Sequence, residues 1–280
     1  YAEKVIGLEE SIDEIFSRLS MPYSDQEKLF KYARSKGIEI FSTPFDFKSV
    51  DFLESLNVNM YKISSADLVN LPLIRYVASK GRLVILSTGM SNLSNIEDAV
   101  NEFKKTNNQN LALLHCNSSY PASLSEMNLA VINNLNNMFN VPVGLSDHTF
   151  GLFVSQTAIT LGASIIERHI TLDRTMEGPD HILSSEPDEF KRLVDIRNKI
   201  PLVIGDGEKR IMPNEYDYLN MHRKCLYAKI NIKKNQIIKK DMISIKGPGG
   251  GILPKYIDIV INRKAKVDIK ADMPIDWDKI

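Results

Sequence analysis

From residue 38 onward one unit recurs: a short apolar run rich in β-branched residues, a cluster of small polar residues, then a longer stretch with apolar spacings of three and four. The runs are IEIFSTPF (38–45), MYKISS (60–65), LVILSTGM (83–90), LALLHCNSSYP (111–121), VPVGLSDHT (141–149) and SIIERHIT (164–171). Between them SVDFLESL, LPLIRYVASKG, SNIEDAVNEFKKT and FVSQTAITLGA carry helical periodicity. Strand then helix, repeated, is the signature of a parallel sheet covered by helices. Two architectures fit, an open doubly wound sheet and a closed (β/α)8 barrel. No GxGxxG follows the first run, which argues against a dinucleotide-binding open sheet. The runs carry Ser, Thr, His or Asn toward their C-terminal ends, and barrels place their chemistry at the C-terminal ends of several strands. A barrel is therefore expected.

Six units occupy about 200 residues, whereas eight need about 250. Two βα units, on the order of 60 to 70 residues, are thus expected to precede Tyr1, where the sequence opens without an initiator Met. Residues 1–37, with SIDEIFSRL and SDQEKLFKYARSKG, read as helices or loop. The pattern changes after residue 205. GDGEKRIMPNEYDYLNMHRK is polar and irregular and suits a linker. The pieces CLYAKINI, QIIKKDMISIKG, YIDIVINRKAKVDI and MPIDW then read as short strands. The expected division is residues 1–205 as a barrel lacking its first two units, 206–222 as linker, and 223–280 as a small, mainly β domain.

The totals bound the function. In 280 residues, 35 basic side chains balance 35 acidic ones, so no net charge draws the chain to nucleic acid. No run approaches the ~20 apolar residues that span a bilayer. The two cysteines, Cys116 and Cys225, form no CxxC pair, and a reducing, cytoplasmic compartment is expected.

Alternation along a strand sorts side chains by face. In VPVGLSDHT it groups Gly144, Ser146 and His148 against Val143, Leu145 and Asp147; in SIIERHIT it groups Glu167, His169 and Thr171 against Ile166, Arg168 and Ile170. The small and polar sets suit a barrel interior, where His148 and His169 would face the same space from neighbouring strand ends. Two converging imidazoles, with Asp180 shortly after, can hold a divalent metal; the alternative is two core histidines bonded to carbonyls. Lys62 is a Schiff-base nucleophile, an anion-binding cation, or a lysine that snorkels from a strand start. Thr43, Ser65 and Ser146 as hydroxyl donors favour an anion such as phosphate. Tyr120 can position a ligand hydroxyl or simply pack in its loop. His115, His181 and His222 have weaker claims, and Cys116, with no base at a telling spacing, reads as a buried hydrophobe.

Taken together, FSTPFD, YKISSAD, LSTGMS, HCNSSYP, GLSDHT, ERHITLD and GPDH, followed by GDGEK, RKCLYAK and KGPGGGI, resemble the sialic acid synthase family, which makes N-acetylneuraminate, legionaminate and pseudaminate. The ordered set covers almost the whole chain. The resemblance implies a (β/α)8 barrel followed by a small antifreeze-like (SAF) domain, in a domain-swapped homodimer. It implies condensation of phosphoenolpyruvate with an open-chain N-acetylated amino sugar, phosphate release, and a divalent ion, Mn2+ or Mg2+. It makes His148 and His169 the metal ligands. Thr43, Lys62, Ser65 and Ser146 grip phosphoenolpyruvate, and Asp67, Tyr120 and Asp180 stand near the sugar or the metal as catalytic candidates. Ser118 replaces a ligand-contacting Asn. Gly247 stands where the family has an Arg that reaches the partner's sugar, a role that the neighbouring Lys246 fills only in part because it lacks the planar fork. The family's Glu after the first strand and its K.Q pair after the second are expected before Tyr1, so the chain as given is expected to have an impaired site. A Schiff-base aldolase built on Lys62 and a binding or assembly homologue are the competing functions.

Overall fold

The computed structural model describes residues 12–280, which divide into two compact units at Gly205 and Asp206. In the first unit, helices α1 (Ile12–Leu19), α2 (Tyr23–Ser35) and α3 (Phe47–Ser55) precede a regular alternation. Strands β1 (Met60–Ile63), β2 (Leu83–Ser87), β3 (Leu111–Cys116), β4 (Val143–Asp147) and β5 (Ile166–Arg168) are separated by helices α4 (Leu71–Ser79), α5 (Leu93–Lys104), α6 (Val131–Phe139) and α7 (Phe153–Thr160); α8 (Pro187–Ile204) follows. The five strands are parallel and lie in the order β1-β2-β3-β4-β5. That order never reverses. A doubly wound sheet requires a reversal, so the unit is an arc of the barrel type.

Local chemistry sets the helix starts. Asp46 accepts the Ser49 N–H at the head of α3, Asn70 caps α4, and Asn92 and Asn95 form a reciprocal capping box on α5. Asn140, in the left-handed region at φ 54°, ends α6.

The faces of the sheet differ. Tyr61, Ile63, Val84, Leu86, Leu111, Leu113, Val143 and Leu145 point toward the helices and pack with Val50, Ile74, Val77, Val100, Phe103 and Ile132 in the main core. The opposite, concave face is apolar at its lower level, where Ile85, Ala112 and Leu114 pack with Met60, Leu83 and Ile165. One step further along each strand it turns polar, which is where the site lies. At the lower level β4 and β5 approach so closely that a Cβ on Gly144 would stand 2.3 Å from the Ile165 carbonyl oxygen.

The expected strand at residues 38–45 does not form. Segment 38–45 follows β1 with a single ladder bond, Lys62 N to Ser42 O at 3.3 Å, and Pro44 has no N–H to donate. A ladder needs reciprocal bonds, so the segment is extended without being a strand.

In the second unit, residues 206–222 are not wholly irregular, since Tyr216–His222 is a helix, α9. Beyond it β6 (Cys225–Ala228) pairs antiparallel with β7 (Ile243–Lys246), and single bridges join Tyr227 to Pro274, Ile232 to Ile269 and Ile237 to Lys264. YIDIV, expected as a strand, is instead a 3-10 turn running into the short helix α10 (Ile257–Val260). Leu226, Ile232, Ile238, Ile252, Ile269 and Ile275 form this unit's own core. No helix among the described residues is long and apolar enough to cross a membrane.

Candidate active site

The polar rim of the concave face is built from strand ends. Lys62, 7% exposed, donates from Nζ to Ser87 Oγ at 2.6 Å and to the Ile63 carbonyl at 2.9 Å, with Glu167 Oε2 3.8 Å away. Burial pulls its ammonium below the usual lysine range, and Glu167 opposes this. Ser146 donates to Glu167 Oε1 at 2.7 Å, directly across the β4–β5 register. Lys62, Ser87, Ser146 and Glu167 thus form one chain of polar contacts over β1, β2, β4 and β5.

His148 and His169 stand one step above Ser146 and Glu167. Their ring centroids are 5.3 Å apart, and the Tyr120 ring lies 4.1 Å from the first and 5.8 Å from the second. His148 Nδ1 is 2.8 Å from the Asn117 carbonyl, which can only accept, so Nδ1 carries the proton. Nε2 lies 3.4 Å from Ser146 Oγ, whose proton goes to Glu167. In the neutral ring Nε2 therefore keeps its lone pair. Burial disfavours charge on His148, but Cys116, the Asn117 carbonyl and Glu167 outweigh it and raise the pKa. For His169 burial prevails, aided by His148 and opposed by Asp180, and its pKa is lowered. Asp180 Oδ2 lies 3.6 Å from His169 Nδ1.

This donor set fits a divalent cation. Two imidazoles on one ion, with metal–nitrogen bonds of about 2.1 Å, bring their centroids to ~5 Å, and a ligand histidine whose second nitrogen donates to a carbonyl is the usual arrangement. Among the described residues no group of three His, Cys, Asp or Glu gathers as a ligand set. The protein's part in such a site is the two imidazoles, with Asp180 beside one of them.

The other expected residues lie around this rim. Ser65 Oγ accepts the Gly89 N–H at 3.0 Å, and a Cβ on Gly89 would stand 2.3 Å from Ser118 Oγ and 2.8 Å from Ser65 Oγ. Glycine is what lets those two hydroxyls close over the end of β2. Ser118 also lines a polar recess of about 620 Å3 with Asn92, Asn95, His115 and Glu126. Asp67 is engaged in the turn after β1, accepting from Ser64 and Asn70 at 2.9 and 3.1 Å. Thr43 lines a cavity of about 700 Å3 bounded by Tyr23, Phe30 and Phe52, whose walls include neither histidine nor Lys62. In the second unit Lys246 pairs with Asp272 and lies over the Tyr227 ring.

Three residues were missed. Ser87 is the nearest partner of Lys62, yet in sequence it is one of several small residues in LVILSTGM. Alternation places Glu167 on the inward face, but nothing in the sequence marks it as the acceptor of the Ser146 hydroxyl. Cys116 is buried, but it has a base beside it: although burial raises a thiol, His148 with Ser65 and Ser146 brings this one below its ordinary value. His115, by contrast, bonds the Met127 carbonyl at 2.6 Å, and His181 bonds Thr171 at 2.7 Å.

Residues 1–209 match the NeuB family, and residues 223–280 match the SAF domain. The chain belongs to the NeuB family. It is 43% identical to the uncharacterized protein MJ1065 of Methanocaldococcus jannaschii over 280 residues, all of this chain and 83% of that protein. It is 38% identical to the N,N'-diacetyllegionaminic acid synthase of Campylobacter jejuni over 274 residues, 97% of this chain and 82% of that one. The crystal structure of the N-acetylneuraminic acid (sialic acid) synthetase of Leptospira borgpetersenii, in complex with citrate, superposes with a TM-score of 0.71 at 34% identity, over 78% of this chain and 76% of that chain. In this NeuB-family chain the polar rim and the paired imidazoles therefore sit on a barrel-type sheet shared with a sialic acid synthetase.

Proposed function

We propose that the chain is a carbon–carbon bond-forming synthase that condenses phosphoenolpyruvate with an open-chain N-acetylated amino sugar, giving a nine-carbon 2-keto sugar acid and inorganic phosphate. One observation carries the reading: a buried lysine, bonded to the Ser87 hydroxyl and linked through Glu167 to that of Ser146, lies on the same strand ends as two converging imidazoles. An anion site beside a cation site is what joining an enol phosphate to an aldehyde requires. The names of the Campylobacter and Leptospira relatives support the substrate class.

In this reading Lys62 and the hydroxyls of Ser65 and Ser146 hold the phosphate and carboxylate through charge-assisted bonds; Thr43 would join them only by turning out of the cavity that it lines. His148 and His169 would hold Mn2+ or Mg2+, which when bound would supply Lewis-acid polarisation of the sugar carbonyl. C3 of the enol forms the new bond to the aldehyde carbon, whose oxygen takes a proton; water adds at C2, and the C2–O bond to phosphate breaks. Tyr120 and Asp180, beside the imidazoles, orient the sugar and move protons; Asp67 serves once released from its turn. Ser118 and, in a swapped homodimer, Lys246 touch the sugar. The setting is cytoplasmic.

A Schiff-base aldolase on Lys62 is the alternative, favoured by the lowered pKa of that amine. Against it, Nζ already donates to a carbonyl and a hydroxyl and faces a carboxylate, an arrangement suited to an ammonium. The test uses protein expressed from the complete reading frame, with phosphoenolpyruvate, Mn2+ and a panel of N-acetyl amino sugars. Phosphate release in step with a nine-carbon acid, seen by mass spectrometry, supports the synthase. Borohydride trapping of pyruvate on Lys62 instead supports the aldolase.

A further inference from the structure

On the helix-covered side of the same strand ends lies a second polar cluster. Arg168 Nη1 donates to Asp147 Oδ2 at 2.5 Å, with the side chains 1% and 0% exposed. Arg168 Nη2 donates to the Thr149 carbonyl at 2.9 Å and Nε to Ser185 Oγ at 3.0 Å. Asp147 Oδ1 accepts the Thr149 N–H and hydroxyl at 2.9 and 2.7 Å, and Ser155, in the first turn of α7, donates to Oδ2. The cluster ties β4, β5, α7 and the segment before α8 together. Ser185 closes the circuit, since its N–H donates to the His169 carbonyl at 2.9 Å.

An apolar pair of similar volume usually stabilises a fold as well as a buried ion pair, or better. Stability therefore does not account for two charges here. Register does. β5 has only three residues, of which Ile166 alone is apolar, so its backbone ladder and apolar packing say little about where it sits against β4. The pairing opposes Ser146 to Glu167 and Asp147 to Arg168, and the next step up brings His148 beside His169. A slip of one residue would turn Arg168 onto the concave face and His169 away from it.

We infer that the Asp147–Arg168 pair is a positioning device, which holds β4 and β5 in the one register that sets the spacing of His148 and His169 for a divalent cation. This rests on reading the two histidines as a cation site. It assigns neither Asp147 nor Arg168 contact with substrate or ion.

The test compares the full chain with the double variant Asp147→Leu/Arg168→Met, which replaces the charges by apolar volume. Melting temperature and Mn2+ affinity are measured, together with the visible absorption of bound Co2+ as a report on ligand geometry. The expected result is a melting temperature close to that of the unsubstituted chain, Mn2+ binding about 10- to 100-fold weaker and a changed Co2+ spectrum. A double variant that melts and binds both ions like the unsubstituted chain overturns the inference, because the pair is then only structural. Should the double variant not fold, Arg168→Lys keeps the charge but loses the fork to Thr149 and Ser185. Several-fold weaker Mn2+ binding by that variant supports the inference, and unchanged binding overturns it. If the unsubstituted chain binds Mn2+ no better than His148→Ala, the cation reading fails and takes the inference with it; that outcome is recognised without either pair variant.

Discussion

The two faces of the β4–β5 edge carry side chains of similar type and use them in opposite ways. Toward the helices, Asp147 and Arg168 are fully buried and bonded to Thr149, Ser155 and Ser185. Toward the concave side, Glu167 is half-buried, Nε2 of His148 keeps a lone pair, and His169 is half-exposed beside Asp180. Each side-chain nitrogen and oxygen of Asp147 and Arg168 is hydrogen-bonded within the protein. The second leaves capacity for something else. The difference teaches where to look for function on a strand pair: among polar groups that are fixed on one side and unfinished on the other.

Substitutions on the two faces should therefore differ in kind. The largest expected effect is on the helix side, where Asp147→Ala leaves the Arg168 guanidinium buried without its carboxylate. A loss of about 3–5 kcal/mol is expected, read from the urea midpoint; a loss below about 1 kcal/mol would mean that the cluster rearranges and that the two faces do not differ in this way. Gly144→Ala comes next. Its new methyl would meet the Ile165 carbonyl, a backbone atom that moves only if β4 and β5 part. About 1–3 kcal/mol is expected, with weaker Mn2+ binding because the imidazoles spread.

On the concave side, Ser146→Ala removes the bond to Glu167 and should cost only about 0.5–1.5 kcal/mol, while phosphoenolpyruvate affinity, measured by calorimetry, falls much further in proportion. The smallest effect is a slope. Burial lowers the pKa of Lys62 in the folded chain from the ordinary 10.5. Between that lowered value and 10.5 the unfolded chain holds a proton that the folded chain does not, so Lys62 makes stability rise with pH across this window. Lys62→Met should flatten that rise in urea midpoints measured along a pH series. An unchanged slope would mean that the ammonium is not held in a desolvated place.

Much of this contrast was legible in the strands themselves. Alternation alone put His148, Ser146, Glu167 and His169 on one side and Asp147 and Arg168 on the other, because the period of a strand is fixed by the backbone. The offset between strands is not written in either one. Ser87 meets Lys62 only through the β1–β2 register, with Lys62 opposite Ile85, and no local pattern announces it. Cys116 gained a neighbouring base in the same way, through β3 and β4. The failures at 38–45 and at YIDIV share a cause. Apolar β-branched content fits a strand, but a strand also needs a partner with free donors and acceptors. Segment 38–45 finds one bond, and YIDIV, held between a Pro-initiated turn and Asn262 at φ 72°, coils instead.

In the proposed reaction the rim would join phosphoenolpyruvate to an aldehyde and expel phosphate from C2. Phosphoenolpyruvate labelled with heavy oxygen at the bridging C–O–P position tests it directly, in the protein expressed from its complete reading frame with Mn2+ and an accepted amino sugar. If the C2–O bond breaks, the label leaves with inorganic phosphate. Label retained in the keto acid would place the cleavage between oxygen and phosphorus, with pyruvate as the true donor, and would rule out the proposed reaction.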